Sequence, residues 1–435
     1  MQAIILDELQ ANLSGDIPMD ISSNHQSLRI NPDRMLDSFN QLASFGATGD
    51  GGVNRPTFSE AHLAARKWFR AQIESSSLEF RSDGAGNHSA FLPSQLSNVQ
   101  TLLFGSHLDS VPKGGLFDGA LGVMAALEVL RTVRENRISL KLNLEAIDFT
   151  DEEGTHLSLF GSSALSGHLQ PEDLKNPYSG RENFSAGLAR AGLTEQGLLQ
   201  AARKKESLAG YLELHIEQGK RLERAGINVG IVSAIVGYGS YRMSYIGRAD
   251  HAGSATMEDR LDAGQGVSAF ILETRQAVIR DFPNCVANVG KIEFAPGASN
   301  IVPARADFLL EFRSPDEDQL AELDSTLMKL AQQKAEQFGL QLTAEPLAKH
   351  APNLMSADIQ SAFKSSCDVL GLSSTVLASG AIHDAQSLVD VCPIGMIFVP
   401  SVDGASHAPR EFTKWDDCVN GANVLLQTVL KLSAE

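Results

Sequence analysis

Apolar runs alternate with amphipathic stretches over most of the chain. Residues 58–74 have apolar positions at helical spacing, and Ser59 is a candidate N-cap for this helix. The same pattern predicts a buried strand in 101–110, a helix in 119–136, and further strands in 140–154 and 210–219. Because strands alternate with helices, the chain is expected to form an α/β layer on a mixed, mostly parallel sheet flanked by helices.

Beyond Gly226 the pattern becomes that of an α+β segment. It predicts, in order, a hairpin over 228–253, a helix over 260–282, two strands around a loop over 287–313 and a helix over 318–339. From about residue 351 the alternation of strands and helices resumes. The sequence therefore predicts a polar N-terminal arm over 1–28, a main domain over 29–226 and 347–435, and an inserted α+β domain over 227–346.

Charge and cysteine content narrow the classes of partner and compartment. The chain has 435 residues, with 36 Lys and Arg against 53 Asp and Glu, and a formal net charge of −17. This excess of negative charge argues against nucleic acid or an anionic membrane as the main partner. The four cysteines lie far apart without a CxxC pair, which favours a reducing compartment over a disulfide framework. We therefore expect a cytoplasmic protein without a secretory signal or a membrane span.

Imidazoles and carboxylates gather at the ends of the predicted strands or in adjacent loops, where open α/β sheets place their sites. They form five clusters: His107 with Asp109; Asp118; Glu152 with Glu153; His215 with Glu217 and Gln218; and His407. Since the clusters contain no cysteine, they suit a hydrolytic zinc or manganese centre better than a structural metal site.

Two of these clusters indicate which residues could bind metal, orient a ligand or act as a general base. His107 and Asp109 are two residues apart, so an extended backbone points both side chains the same way. Asp109 could then accept the second ring proton of His107 and fix its tautomer. Adjacent glutamates such as Glu152 and Glu153 can divide metal binding and general-base catalysis between them.

Each cluster also has a plainer interpretation when it is taken alone. His107 could be a surface-loop histidine, Asp118 a helix N-cap, and the acidic run at 151–153 a solvated turn. His215 could be a hydrogen-bonded core histidine, and His407 alone indicates nothing. The joint occurrence of the five clusters is what favours a metal site.

The sequence resembles the N-carbamoyl-L-amino-acid amidohydrolase and allantoate amidohydrolase family, within the larger group of two-metal aminoacylases and carboxypeptidases. The resemblance runs from about residue 31 to the C-terminus through GATGDGGVNRPTFSEAHLAARKWF, GSHLDSVPKGGLFDGALGV, DEEG, ELHIEQG, DHAGSATMEDRLDA, SNIVPARADFLLEFR, SGAIHDA and GMIFVPSVDGASH. It implies that the main domain is a metal-binding catalytic domain and that the inserted domain is a lid and dimerisation domain.

The resemblance also implies two divalent ions per subunit, zinc or manganese. Carried over residue by residue, it makes Asp118 the bridging ligand, places His107 and His215 on one ion, and places Glu153 and His407 on the other. Glu152 would be the general base, with Asp109 and His251 also in catalytic roles.

For the substrate, the resemblance implies a small molecule with a carboxylate. The inserted domain would supply His251, Asn300 and Arg313, some of them from the partner subunit of a homodimer, while Gln218 and His383 would line the same cleft. Arginine grips a planar carboxylate through two parallel hydrogen bonds. Taken alone, however, Arg313 could be a surface ion-pair residue and Asn300 a turn residue.

Four positions depart from the family pattern. Asp250 stands where asparagine is usual, GSATM replaces GTTPM, Ile382 replaces a glycine, and His156 stands where arginine is common. Asp250 adds negative charge near the expected substrate carboxylate, and Ile382 narrows the expected cleft. These departures concern the substrate, because the five implied metal ligands are all present.

The implied reaction is hydrolysis of the ureido C–N bond of an N-carbamoyl-L-amino acid. It would give the amino acid, ammonia and carbon dioxide, with Glu152 as base and His251 stabilising the oxyanion. One alternative is an allantoate or β-ureido acid amidohydrolase, or another aminoacylase-like, peptidase-like or deaminating hydrolase with the same site. A second alternative, a binding protein without activity, is disfavoured because Glu152 and the ligands are present.

Overall fold

The computed structural model describes residues 25–434, so residues 1–24 of the predicted arm lie outside the described part of the chain. The helices are α1 (Pro32–Ala43), α2 (Glu60–Ser75), α3 (Ala120–Glu135), α4 (Phe160–Ser166), α5 (Arg181–Ala191), α6 (Glu195–Leu199), α7 (Arg221–Ala225), α8 (Ala263–Asp281), α9 (Glu317–Gln337), α10 (Ala357–Leu370), α11 (Asp384–Leu388) and α12 (Trp415–Ser433). The strands are β1 (Glu79–Ser82), β2 (His88–Leu92), β3 (Thr101–His107), β4 (Asn143–Phe149), β5 (Leu208–Ile216), β6 (Val229–Ile235), β7 (Gly237–Ile246), β8 (Val286–Ala295), β9 (Arg305–Ser314), β10 (Gln341–His350), β11 (Asn353–Leu354), β12 (Ser374–Ser379) and β13 (Ile394–Val399).

The described chain divides into two compact units. Unit 1 consists of residues 25–229, Ser361–Ser374 and 397–434, and unit 2 consists of Gly230–Gln360 and Thr375–Met396. The residue limits given above for the catalytic domain and for the inserted domain remain predictions. Among residues 25–434, no helix combines the length and the apolar character that crossing a membrane requires.

Unit 1 is built on a mixed sheet in which its strands follow the order β1-β2-β4-β3-β5. Strands β3 and β4 are parallel, as are β3 and β5, whereas β2 pairs antiparallel with both β1 and β4. In the β3–β4 register His107 lies opposite Phe149, so both strands end at the same edge of the sheet. The predicted mixed α/β class with a mostly parallel sheet and flanking helices is confirmed.

Helix α3 is the central helix of unit 1. Its residues from Ala120 to Val133 are all buried, and it packs against β3, β4, α1 and α12. A helix that is apolar on all sides is stable only inside a protein. The one carboxylate in this buried run, Glu128, is paired with Arg34 at 2.6 Å. This helix fixes the position of the segment that precedes it, which carries Asp118.

A buried ion pair lies beneath the edge where β3 ends. Arg66 on α2 donates from Nε to Asp148 Oδ2 at 2.7 Å, and both side chains are almost fully buried. The other carboxylate oxygen of Asp148 accepts the main-chain N–H of Leu108 at 2.9 Å. Because a buried charge is costly unless it is fully paired, this arrangement fixes the main chain directly after His107.

Unit 2 contains an antiparallel sheet with the strand order β10-β7-β9-β8, covered by α8 and α9. Alternate residues of β9, from Ala306 to Phe312, point into a core that is completed by leucines of α9 at helical spacing. The hairpin predicted over 228–253 is wrong. Strand β6 pairs with β11, whereas β7 pairs with β9 and β10, and only Val236 separates β6 from β7. The two strands share the alternating pattern but find different partners.

Candidate metal centre

Five of the predicted site residues come from the ends of elements in unit 1. His107 ends β3, His215 lies one residue before the end of β5, and Asp118 lies just before α3. Glu153 follows β4 by four residues, and His407 lies in the loop between β13 and α12. The sheet therefore brings together side chains that are up to 300 residues apart in the sequence.

The Asp118 carboxylate lies at the middle of this cluster. Its Oδ1 atom is 3.0 Å from His215 Nε2 and 3.7 Å from His107 Nε2, and its Oδ2 atom is 3.3 Å from His407 Nε2. His407 Nε2 is also 3.6 Å from Glu153 Oε2. Two groups result, His107 with Asp118 and His215, and Asp118 with Glu153 and His407, each with potential ligand atoms within 4.8 Å of one another. Asp118 belongs to both groups.

The chemistry of the cluster fits divalent cations. His107 and His215 are each 1% exposed, and Glu153 Oε1 is buried without a hydrogen-bond partner. Burial raises the pKa of Glu153 well above its usual range, and the charge of Asp118 adds to this effect. Two carboxylates that repel each other in a buried place are stabilised by a cation between them, and imidazole with carboxylate is a donor set that zinc and manganese accept.

The pKa values of the three imidazoles depend on burial and on the same neighbouring charges. Burial lowers the pKa of His215, but the charge of Asp118 and its hydrogen bond outweigh this effect and raise the pKa to about 9. Burial also lowers the pKa of His107, and there it prevails. At His407 the hydrogen bond to Asp118 raises the pKa. Because a metal ion binds only the neutral imidazole, protons and cations compete for these nitrogen atoms.

Main-chain carbonyl groups orient both buried imidazoles. His107 Nδ1 lies 3.1 Å from the carbonyl oxygen of Asp109, and His215 Nδ1 lies 3.0 Å from that of Ile216. Such contacts leave Nε2 of each ring directed at the cluster.

The Asp109 carboxylate is not the nearest acceptor for the ring proton of His107, and its catalytic role stays a prediction. Its Oδ1 atom is 3.6 Å from His107 Nδ1, farther than the carbonyl oxygen of the same residue. Its two oxygens instead accept the main-chain N–H groups of Glu152 and Glu153, at 3.3 and 3.2 Å. The carboxylate thus positions the two glutamates.

Glu152 lies beside the cluster. Its Oε2 atom is 3.6 Å from His107 Nε2, and the residue is 6% exposed. This places a carboxylate next to the proposed ligands, within reach of a water molecule held there. Its role as general base stays a prediction.

Three polar residues surround Asp118 Oδ2. Gln218 Nε2 and Ser406 Oγ each donate to it at 2.8 Å, and Glu411 in turn lies 3.1 Å from Ser406. Gln218, predicted to bind substrate, is placed against Asp118 through its amide nitrogen. Sequence reasoning missed Ser406 and Glu411, and the only available signal was their proximity to His407 in the chain.

The remaining predicted residues lie in unit 2. The N–H of Ala252 donates to the carbonyl of Asn300 at 2.9 Å, which places His251 and Asn300 on adjoining segments. Arg313 donates from Nε to Glu311 at 2.8 Å and from Nη1 to the carbonyl of Gly380 at 2.6 Å. His383 Nε2 lies 2.9 Å from Ser379 Oγ. Their roles toward a substrate stay predictions.

Two of the departures from the family pattern have local explanations. Asp250 Oδ2 accepts from Arg248 Nε at 2.9 Å, so its negative charge is paired within its own segment. His156 is 3% exposed, packs against Phe58, and lies with Nδ1 2.6 Å from Ser179 Oγ. It therefore acts as a buried anchor of the loop that follows Glu153. By contrast, Ile382 is 42% exposed.

A Gly119→Ala substitution is expected to weaken metal binding about 10–100-fold, as found for groups that orient metal ligands. Gly119 has φ +63°, and an added Cβ would lie 2.3 Å from Cε1, 2.4 Å from Nε2 and 2.5 Å from Cδ2 of His107. The ring would have to move away from Asp118. Gly192→Ala is the control, because Gly192 has φ +71° but no atom within 4 Å of an added Cβ. Titration of the metal-free protein with Mn²⁺ measures the effect, and wild-type affinity in Gly119→Ala would contradict the arrangement.

Several known proteins are similar to this chain over nearly its whole length. Residues 103–431 match the model for Peptidase family M20/M25/M40. The N-carbamoyl-L-amino acid amidohydrolase of Geobacillus stearothermophilus is 36% identical over 406 residues, covering 93% of this chain and 99% of that protein. The allantoate amidohydrolase of Bacillus subtilis is 31% identical, covering 92% and 97%. An amidase of the hydantoinase/carbamoylase family from Burkholderia multivorans has a similar crystal structure, with a TM-score of 0.87, 29% identity and coverage of 94% and 99%.

Proposed function

Because this chain belongs to Peptidase family M20/M25/M40, and its relatives include amidohydrolases matched over nearly their full length, we propose that it hydrolyses the ureido C–N bond of an N-carbamoyl-L-amino acid. The observation that supports this most is the pair of ligand groups that share Asp118, with Glu152 beside them. In two-metal hydrolases the ions lie about 3.5–4 Å apart, a spacing that one carboxylate can bridge.

Each step of the proposed reaction is assigned to residues of this chain. Two divalent ions, zinc or manganese, held by the residues around Asp118 would polarise the scissile carbonyl group and lower the pKa of a water molecule. Glu152 takes a proton from the attacking water and returns it to the leaving nitrogen. His251 donates to the developing oxyanion. One water is consumed in cleaving one C–N bond to an amine and a carbamic acid. The carbamic acid then loses carbon dioxide, so the products are the amino acid, ammonia and carbon dioxide.

The substrate carboxylate is assigned to Arg313 and Asn300, with Gln218 and His383 as further contacts. Arg313 is well suited because its guanidinium group is held by Glu311 and by the carbonyl of Gly380, which limits the side-chain entropy lost on binding. This assignment predicts that substrates without a carboxylate bind poorly.

A substrate panel tests the proposed reaction. The protein, stripped of metal and reloaded with Mn²⁺ or Zn²⁺, is assayed for amino acid and ammonia release from N-carbamoyl-L- and D-amino acids, allantoate, β-ureidopropionate, N-acetyl amino acids and a dipeptide. We expect the highest kcat/KM with an N-carbamoyl-L-amino acid. A higher value with allantoate would replace the proposed substrate by that of the Bacillus subtilis relative. The absence of turnover with every compound would contradict the reaction class.

The protein is further proposed to form a homodimer through unit 2. Leu272 and Ile279 on α8 are 66% and 60% exposed, and a spacing of seven residues places them on one face of the helix. Val286, at the start of the edge strand β8, is 56% exposed as well. A contiguous exposed apolar patch is typical of interfaces between subunits, and Leu272 and Ile279 are the candidates for one on α8.

Light scattering after size-exclusion chromatography measures the assembly. We expect a mass of twice 46.7 kDa for the wild-type protein and a monomer for the Leu272→Glu/Ile279→Glu double variant. A wild-type monomer would contradict the dimer, and a dimeric double variant would exclude this face of α8.

A further inference from the structure

Glu411 joins the two segments that carry Asp118 and His407. It lies four residues after His407 and is 4% exposed. Its Oε1 atom accepts the main-chain N–H groups of Phe117 and Asp118, at 2.8 and 3.0 Å. A single buried carboxylate thus fixes the backbone of the proposed bridging ligand relative to the loop of another proposed ligand.

The chain leaves room for this contact at Gly115. A Cβ atom added there would lie 2.1 Å from both Cδ and Oε1 of Glu411. Any larger residue at this position would push the carboxylate away from the two N–H groups. The close approach of Glu411 therefore depends on a glycine.

Ser406 connects Glu411 with the Asp118 carboxylate. Its hydroxyl group has one proton and lies 2.8 Å from Asp118 Oδ2 and 3.1 Å from Glu411 Oε2. Asp118 Oδ2 also accepts from Gln218 at 2.8 Å, and it is the oxygen that faces His407. With both donors engaged, this oxygen has little capacity left for a cation. When Ser406 turns its proton to Glu411, a lone pair of Asp118 Oδ2 becomes available.

We infer that Glu411 is a positioning residue for the metal centre. Glu411 holds Asp118 in register with His407, and it offers the Ser406 proton an alternative acceptor when a cation binds Asp118 Oδ2. This inference rests on the proposed metal centre and not on the identity of the substrate. Glu411 is expected to affect chiefly the affinity for the ion that lies beside Glu153 and His407.

Titration of the metal-free full-length protein with Mn²⁺, followed by electron paramagnetic resonance, tests the inference without any substrate. The wild-type protein is expected to bind two ions. In Glu411→Gln the amide nitrogen cannot accept the Ser406 proton, so we expect one of the two ions to lose about 10–100-fold in affinity, the effect typical of groups that position ligands. Gly115→Ala should lower the affinity for the same ion although Glu411 itself is kept. If Glu411→Gln does not fold, Gly115→Ala tests the inference in its place.

Asp83→Asn is the matched control. Asp83 accepts two main-chain N–H groups, at 2.9 and 3.0 Å, and one side-chain donor at 2.8 Å, so it resembles Glu411 in bonding but lies in the turn between β1 and β2. The control should lower the melting temperature without changing either affinity for Mn²⁺. Wild-type affinities in Glu411→Gln or in Gly115→Ala, an equal loss in Asp83→Asn, or fewer than two ions in the wild-type protein would overturn the inference. A protein that binds two ions but fails the substrate panel would contradict only the proposed reaction.

Discussion

A Glu152→Gln variant is expected to keep two metal ions per chain and to lose about 10²–10⁴-fold in kcat, the contribution typical of a positioned general base. The amide has nearly the same shape as the carboxylate but cannot take a proton from water. Glu152 lies 3.6 Å from His107 Nε2 at the border of the ligand cluster, so it is close enough to act on water held there. Steady-state kinetics on the best substrate of the panel, with metal content measured on the same sample, gives both quantities.

Glu172→Gln provides the comparison for this variant. The Glu172 side chain is 72% exposed and pairs only with Lys175 among the described ion pairs, at 3.2 Å, so its kcat should match that of the wild-type protein. If Glu152→Gln turned over as fast as the wild-type protein, another group would have to be the base. A large loss of metal in this variant would instead make Glu152 a ligand.

An Asp118→Asn variant is expected to lose metal affinity by more than the roughly 100-fold that marks the upper end for groups that only orient ligands. Asp118 is the one residue common to both ligand groups, and its two oxygens face different imidazoles. An asparagine offers one neutral oxygen and a nitrogen that repels cations. We therefore expect fewer than two ions per chain and turnover close to the background rate, measured by elemental analysis and by the substrate assay.

The Asp83→Asn variant again serves as the control, because it replaces a hydrogen-bonded carboxylate of the same type outside the cluster. It should bind two ions and turn over substrate like the wild-type protein. Two tightly bound ions in Asp118→Asn would show that the ions do not share this carboxylate.

Much of the fold follows from short-range patterns in the sequence. The apolar run of β3, the spacing on α2 and the cap at Ser59, whose side chain accepts from the N–H of His62, were all predictable because each depends on neighbours within a few residues. The cluster around Asp118 was predictable for a different reason. The carboxyl ends of parallel strands meet at one edge of a sheet, so polar groups placed at those ends come together.

Contacts between distant segments were not predictable in this way. The alternation in β6 and β7 indicates two strands but does not say which strands they pair with, and the predicted hairpin was wrong for that reason. Likewise, nothing in the sequence near Phe117 indicates that its N–H bonds to Glu411, 294 residues later. The Asp109 carboxylate accepts two main-chain N–H groups that lie more than 40 residues later, which residue spacing around Asp109 does not describe.

An anomalous difference map from crystals of the Mn²⁺-loaded protein would locate the ions directly. We expect two peaks in unit 1, one bounded by His107 and His215 and the other by Glu153 and His407, with an oxygen of Asp118 in contact with each. A single peak, or two peaks of which one does not contact Asp118, would contradict this arrangement.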